Sequence, residues 1–116
     1  MTESTKEKIL VIDDQNEILE ILDALLSSKG YRVSVALGAD EGLRKATDEA
    51  PNLILLDLMM PKKSGLELLK DLKLSRKTAK IPVIFLTGMM KVDEAGAKVI
   101  DVEGESYLGI PKPFNR

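Results

Sequence analysis

The 116-residue chain contains no cysteine and no histidine. Without cysteine there is no disulfide framework, no thiolate metal site and no cysteine nucleophile. Without histidine, the commonest general base and the usual zinc ligand are both missing. A metal bound here must therefore sit among oxygen ligands, which points to magnesium or calcium. Aromatics are scarce, at two Tyr, two Phe and no Trp, too few to form a base-stacking platform. Net charge is −2 with both signs interspersed, so no basic face for direct nucleic-acid binding is implied. The polar stretch Met1 to Lys8 lacks the apolar core of a signal peptide, and no apolar run is long enough to span a membrane. These absences describe a soluble cytoplasmic protein, and the length describes one domain, residues 1–116.

What is present alternates between strand and helix. Ile9-Leu10-Val11-Ile12 and Leu53 to Leu56 are short, wholly apolar runs, as expected of strands covered on both faces. Val83 to Leu86 is a third such run, and Tyr107 to Ile110 reads as a short last strand. Tyr31, Val33 and Val35 alternate with Arg32 and Ser34, which suits an edge strand. Between them, Ile18, Leu19, Leu22, Leu25 and Leu26 recur at helical spacing, with Asn16 as a candidate cap and Gly30 as the stop. A second helix is expected over Ala39 to Ala50, with Leu43 and Ala46 inward and Pro51 closing it. Pro61 and Ser64-Gly65 mark a loop before a third helix that buries Leu66, Leu69 and Leu72. Lys91 to Val102 is expected to form a fourth helix, interrupted by Gly96. The fold class is α/β: a five-stranded, parallel, doubly wound sheet in the flavodoxin-like order 2-1-3-4-5, built with right-handed crossovers.

The residues at the carboxyl ends of these strands share a chemistry. The first strand ends in Asp13-Asp14, the third in Asp57 and the fourth in Thr87-Gly88, and Lys112-Pro113 follows the fifth. Open α/β sheets bind ligands beyond the strand carboxyl ends, where the order reverses, and that point lies between the first and third strands. A lone Asp after a strand is usually a turn residue or helix cap, a lone Thr is structural, and a lone Lys sits at the surface. Convergence of four strand ends on one crevice argues otherwise. Crowded carboxylates at about 4 Å repel by roughly 4 kcal/mol at an effective dielectric of 20, a cost that a hard divalent cation such as Mg²⁺ relieves. Lys112 adds a phosphate-binding charge, Thr87 a hydroxyl donor, and Gly88 allows close approach of the backbone. A carboxylate nucleophile, a metal site and partners for phosphoryl oxygens are what phosphoryl transfer to an aspartate requires.

Four motifs carry a family resemblance: Ile9-Leu10-Val11-Ile12-Asp13-Asp14; Leu56-Asp57-Leu58-Met59-Met60-Pro61 with Gly65; Phe85-Leu86-Thr87-Gly88; and Lys112-Pro113-Phe114. In this order the sequence resembles the receiver domains of two-component response regulators over essentially its whole length. The resemblance implies that Asp57 accepts a phosphoryl group from a phosphohistidine of a sensor histidine kinase or phosphotransfer protein. It implies that Asp14 and Asp57 bind Mg²⁺ directly with the backbone carbonyl of Met59, and that Asp13 acts through water. Thr87 would report phosphorylation, and Lys112 would pair with Asp57 or its phosphate. Asp57, Thr87 and Lys112 are thus the catalytic set, and the output is an altered surface for an unidentified protein or output domain. The Lys112-Pro113 bond is commonly cis in this family.

Two features depart from the family. The position three residues before the lysine, usually aromatic, is Gly109, with Tyr107 two residues earlier. Either Tyr107 is the switch residue and the last strand carries a bulge, or the aromatic switch is lost. A fifth helix after Phe114 is also missing, which would leave apolar surface of Ile9 to Ile12, Leu53 to Leu56 and the fourth strand bare. Either further chain beyond Arg116 or a second copy, making a dimer, would cover it. Three other functions fit the sequence less well. A receiver that interacts without taking phosphate is disfavoured because every acceptor-site residue is present. A haloacid-dehalogenase-like phosphatase needs a second Asp where Met59 stands. A flavin carrier needs a hydroxyl-rich phosphate loop where Asp13-Asp14-Gln15-Asn16 stands.

Overall fold

The computed structural model describes residues 6–87, 91–92 and 98–112. The elements run β1 (Lys8–Asp13), α1 (Asn16–Ser28), β2 (Arg32–Leu37), α2 (Ala39–Glu49), β3 (Leu53–Asp57), α3 (Gly65–Leu74), β4 (Val83–Thr87), β5 (Lys91–Val92), β6 (Lys98–Val102) and β7 (Glu105–Pro111). The sheet order is β2-β1-β3-β4-β7-β6-β5. Its first five strands are parallel and stand in the expected 2-1-3-4-5 order, β7 being the fifth parallel strand. No helix among the described residues is long and apolar enough to cross a membrane.

Both faces of the sheet are packed, which explains the continuous apolar runs. Leu10, Ile12, Ile54, Leu56 and Phe85 face α2 and α3, meeting Ala39, Ala46, Leu68, Leu69 and Leu72. Ile9, Val11, Leu55 and Leu86 face α1 through Ile18, Leu19 and Leu22. Local chemistry sets the helix ends. Ala50 takes a left-handed conformation (φ 48°) and ends α2 before Pro51. Ser64 and Glu67 form a reciprocal capping box for α3, with N–H···O distances of 3.2 and 3.0 Å.

Several expectations need correction. The fourth helix expected over Lys91 to Val102 is absent where that segment is described: Lys91–Val92 and Lys98–Val102 are antiparallel strands. The cause is the turn Glu103-Gly104, where φ is positive at both residues (50° and 86°) and Val102 pairs with Glu105. That is the geometry of a two-residue hairpin whose twist suits the flanking strands, and the β-branched residues of Val-Ile-Asp-Val fit the strand it feeds. Asn16 does not cap α1; it is the first helical residue, and Gln15 occupies the cap. Leu25 is 48% exposed and Leu66 39% exposed, so neither is an inward residue. Leu68 takes the inner place expected of Leu66. The apolar surface expected to be bare on β1 and β3 is largely covered by α1, with Ile9 to Ile12 and Ile54 to Leu56 all buried. The exposed apolar residues on that side are instead Leu108 and Ile110 of β7, Ile110 lying level with Leu86. The expectations for Gly88, the Lys112-Pro113 bond and Phe114 fall outside the described residues.

Candidate phosphoacceptor and metal site

Parallel pairing brings the strand ends to one edge. Asp57 lies level with Leu86, next to Thr87, and Thr87 lies level with Pro111, next to Lys112. Asp13, Asp57 and Thr87 are all buried, at 0%, 1% and 1% exposure. Lys112 Nζ stands 3.4 Å from Asp57 Oδ2 and 3.5 Å from Asp13 Oδ2. Asp57 Oδ1 accepts the Met59 N–H at 3.2 Å, and Asp13 Oδ1 accepts the Gln15 N–H at 3.0 Å. The loop after β3 is tied down by Leu58 N–H to Leu86 O (3.0 Å) and Gly65 N–H to Leu58 O (2.9 Å).

Burial pushes both inner carboxyls up. Asp57 is raised to about 7, first by burial and then by the charge of Asp13; the Lys112 ammonium and the Met59 N–H oppose this without overcoming it. Asp13 is raised by burial, with the Gln15 N–H and Lys112 opposing and Asp14 adding to the rise. Two acids and one lysine therefore leave the crevice under-compensated. Carboxylate oxygens of Asp13, Asp14 and Asp57 lie within 4.8 Å of one another. Asp13 Oδ2 is buried and accepts no hydrogen bond. An all-oxygen donor set with an unsatisfied buried carboxylate oxygen fits a hard divalent cation.

The structure thus brings Asp13, Asp14, Asp57 and Lys112 together, with Thr87 at the neighbouring strand end and Met59 bonded to Asp57 through its backbone. Tyr107 lies away from this edge. Its ring packs edge-on against Phe85 (5.7 Å, 83°), Lys73 Nζ sits 5.9 Å from its centre, and its hydroxyl donates to Glu105 at 2.9 Å.

Two residues matter more than the sequence suggested. A Cβ on Gly65 would fall 2.2 Å from the carbonyl oxygen of Asp57, so only glycine lets α3 start against the back of Asp57. The Gln15 amide oxygen accepts from Lys112 Nζ at 2.9 Å. Its partner lies 97 residues away, and no spacing rule reveals such a contact.

Comparison with known proteins agrees with this geometry. The response regulator receiver domain family matches residues 9–116. The transcriptional regulatory protein CpxR of Klebsiella pneumoniae is 39% identical over 109 residues, covering 93% of this chain and 44% of the relative. The alkaline phosphatase synthesis transcriptional regulatory protein PhoP of Bacillus subtilis is 38% identical over 108 residues, covering 93% and 43%. The chain therefore spans less than half the length of the curated relatives it matches. Among solved structures, the N-terminal domain of a response regulator receiver protein from Methanoculleus marisnigri superposes with a TM-score of 0.76 at 31% identity, over 91% of this chain and 84% of that one. The response regulator TrrA of Thermotoga maritima, solved in complex with Mg²⁺-BeF, gives 0.66 at 34% identity over 72% and 70%. The chain belongs to the response regulator receiver domain family.

Proposed function

We propose that this receiver domain is a phosphorylation-dependent switch whose acceptor is Asp57, served by Mg²⁺ and by a phosphohistidine of a histidine kinase or phosphotransfer protein. One observation carries the reading: a buried Asp57 carboxylate closes a crevice with Asp13, Asp14 and Lys112, its own oxygen 3.4 Å from the lysine ammonium. Asp13, Asp14, Asp57 and the Met59 carbonyl would hold the cation, which supplies positive charge to the acceptor and the phosphoryl oxygens when bound. An Asp57 oxygen attacks phosphorus and a P–O bond forms. The donor's P–N bond breaks, and its electron pair returns to the imidazole. Lys112, 3.4 Å from Asp57 Oδ2, neutralises charge as it shifts from the carboxylate to the phosphoryl group. The Thr87 hydroxyl, at the end of the adjacent strand, binds a phosphoryl oxygen and passes the change into β4 and the surface next to it. Tyr107, packed on Phe85 of the same strand, is positioned to move with it. The domain works as one unit over residues 1–116 and as a signalling component, its output being an altered protein-binding surface.

The test is covalent. With Mg²⁺ and acetyl phosphate, the chain should gain one acid-stable, hydroxylamine-labile phosphoryl group by intact mass, and Asp57→Asn should gain none. Label persisting on Asp57→Asn would refute the assignment.

A further inference from the structure

Gln15 stands at the N-cap of α1, yet its side chain makes no capping hydrogen bond. That position normally holds a short polar side chain that accepts from the second or third helical N–H. Here the backbone of Gln15 makes the local contacts: its carbonyl accepts from Ile18 and Leu19, and its N–H donates to Asp13 Oδ1. The side chain reaches across the crevice instead, and its oxygen lies 2.9 Å from Lys112 Nζ. That is closer than either carboxylate, Asp57 Oδ2 at 3.4 Å or Asp13 Oδ2 at 3.5 Å. A lysine ammonium has three donors. Lys112 hydrogen-bonds Gln15 and Asp57 and pairs by charge alone with Asp13, and the nearest of the three is neutral.

We propose that Gln15 is a positioning residue for Lys112. Its amide tethers the ammonium between Asp13 and Asp57 and keeps it from closing into a tight ion pair over the acceptor oxygens. This rests on the phosphoacceptor reading above and adds the requirement that the tether be uncharged. An amide oxygen holds a lysine without cancelling its charge, so the ammonium can transfer to an incoming phosphoryl oxygen. A carboxylate at the same place would hold it against that transfer and add a further acid to a crevice already short of positive charge.

The experiment uses the ¹⁵N-labelled chain and two variants, Gln15→Leu and Gln15→Glu. Gln15 is exposed and its backbone contacts do not depend on the side chain, so both should fold. Without phosphodonor, ¹H–¹⁵N spectra tuned to lysine ammonium groups detect those held in hydrogen bonds, and Lys112→Arg assigns the Lys112 signal by its loss. The signal should be present in the wild type and in both variants, and in Gln15→Leu it should shift as the ammonium closes onto Asp57 and Asp13. With Mg²⁺ and saturating acetyl phosphate, quenched intact-mass time courses should show aspartyl phosphate forming about tenfold more slowly in both variants, a barrier change of about 1.4 kcal/mol. A Lys112 signal unchanged in Gln15→Leu would overturn the tether. A shifted signal with an unchanged rate would overturn its role in the reaction, and a wild-type rate in Gln15→Glu would overturn the need for a neutral acceptor. A wild-type chain that takes no label would instead defeat the phosphoacceptor reading, while the spectra still judge the tether by themselves.

Discussion

Asp57→Asn should stabilise the metal-free protein at alkaline pH. The Asp57 side chain is 1% exposed and its carboxyl is raised from 3.8 to about 7, mainly by burial and then by Asp13. A folded-state value above the unfolded one means that the folded protein holds the proton more tightly. The ionised form therefore costs stability, in full above about pH 7 and progressively less as the pH falls toward 4. The difference between the two values corresponds to about 4 kcal/mol. Asparagine should recover roughly half of this, about 2 kcal/mol, because the substitution also removes a carboxylate 3.4 Å from Lys112. Its amide oxygen can still accept the Met59 N–H.

For a domain of 116 residues, unfolding entropy near the midpoint is about 0.24 kcal/mol per kelvin, so about 2 kcal/mol raises Tm by about 8 °C. Thermal unfolding followed by far-ultraviolet circular dichroism in EDTA, at pH 8 and pH 5, measures it. The advantage of the variant should be present at pH 8. It should fade to near parity at about pH 5, where protonation has relieved most of the wild-type penalty. A variant no more stable than wild type at pH 8, or one with the same advantage at both pH values, would refute the reasoning.

Divalent cation should act in the opposite sense. At about 100 times its dissociation constant, Mg²⁺ stabilises a one-site protein by about 2.7 kcal/mol, so the wild-type midpoint should rise by about 11 °C and that of Asp57→Asn by much less; equal shifts would count against a site built on Asp57. Gly65→Ala places a Cβ 2.2 Å from the Asp57 carbonyl oxygen, and urea denaturation should show a loss of about 2 to 3 kcal/mol. A loss below about 0.5 kcal/mol would mean that α3 can retreat freely. In the β6–β7 turn, Gly104→Val should cost about 1 to 2 kcal/mol at φ 86°, and Glu103→Asn should gain about 0.5 kcal/mol, both readable by the same denaturation assay. Unchanged stability in Gly104→Val would argue against the hairpin.

The strand order and the site were legible for the same reason. In a doubly wound sheet, the core demands apolar strands and polar residues collect where those strands stop, so Asp13, Asp57 and Thr87 each followed a conspicuous apolar run and Lys112 a shorter one. What failed was the reading of Lys91 to Val102. Its apolar residues fix no single period, and a helix there satisfied the alternation of strands and helices along the rest of the chain. The competing signal was local: Val99-Ile100 and Val102 on one side, Tyr107 and Leu108 on the other, and Glu103-Gly104 at the middle. Glutamate is an uncommon residue at positive φ, which hid the turn. Leu25 and Leu66 failed for a different reason. Helical periodicity marks an apolar stripe, but it does not say how far the neighbouring elements extend to cover it.

The hairpin is also what fixes the lysine of the site. Lys112 reaches Asp57 because β7 lies parallel to β4 with Pro111 level with Thr87. That ladder joins three residue pairs, Phe85–Gly109 to Thr87–Pro111, while β6 pairs with β7 through four, Val99–Leu108 to Val102–Glu105. Register on the antiparallel side is set by the two-residue turn, and a slip of one residue would exchange the two faces of the strand. Tyr107 would leave Phe85, and Leu108, now 57% exposed, would turn toward the core in its place. Lys112 would move about 3.3 Å along the strand, enough to lose contact with both carboxylates and with Gln15. The edge-on contact of the Tyr107 ring with Phe85 is made only in the observed register, which it favours over its neighbours. The position of the ammonium beside Asp57 is therefore set from the far end of β7, by a turn and an aromatic pair.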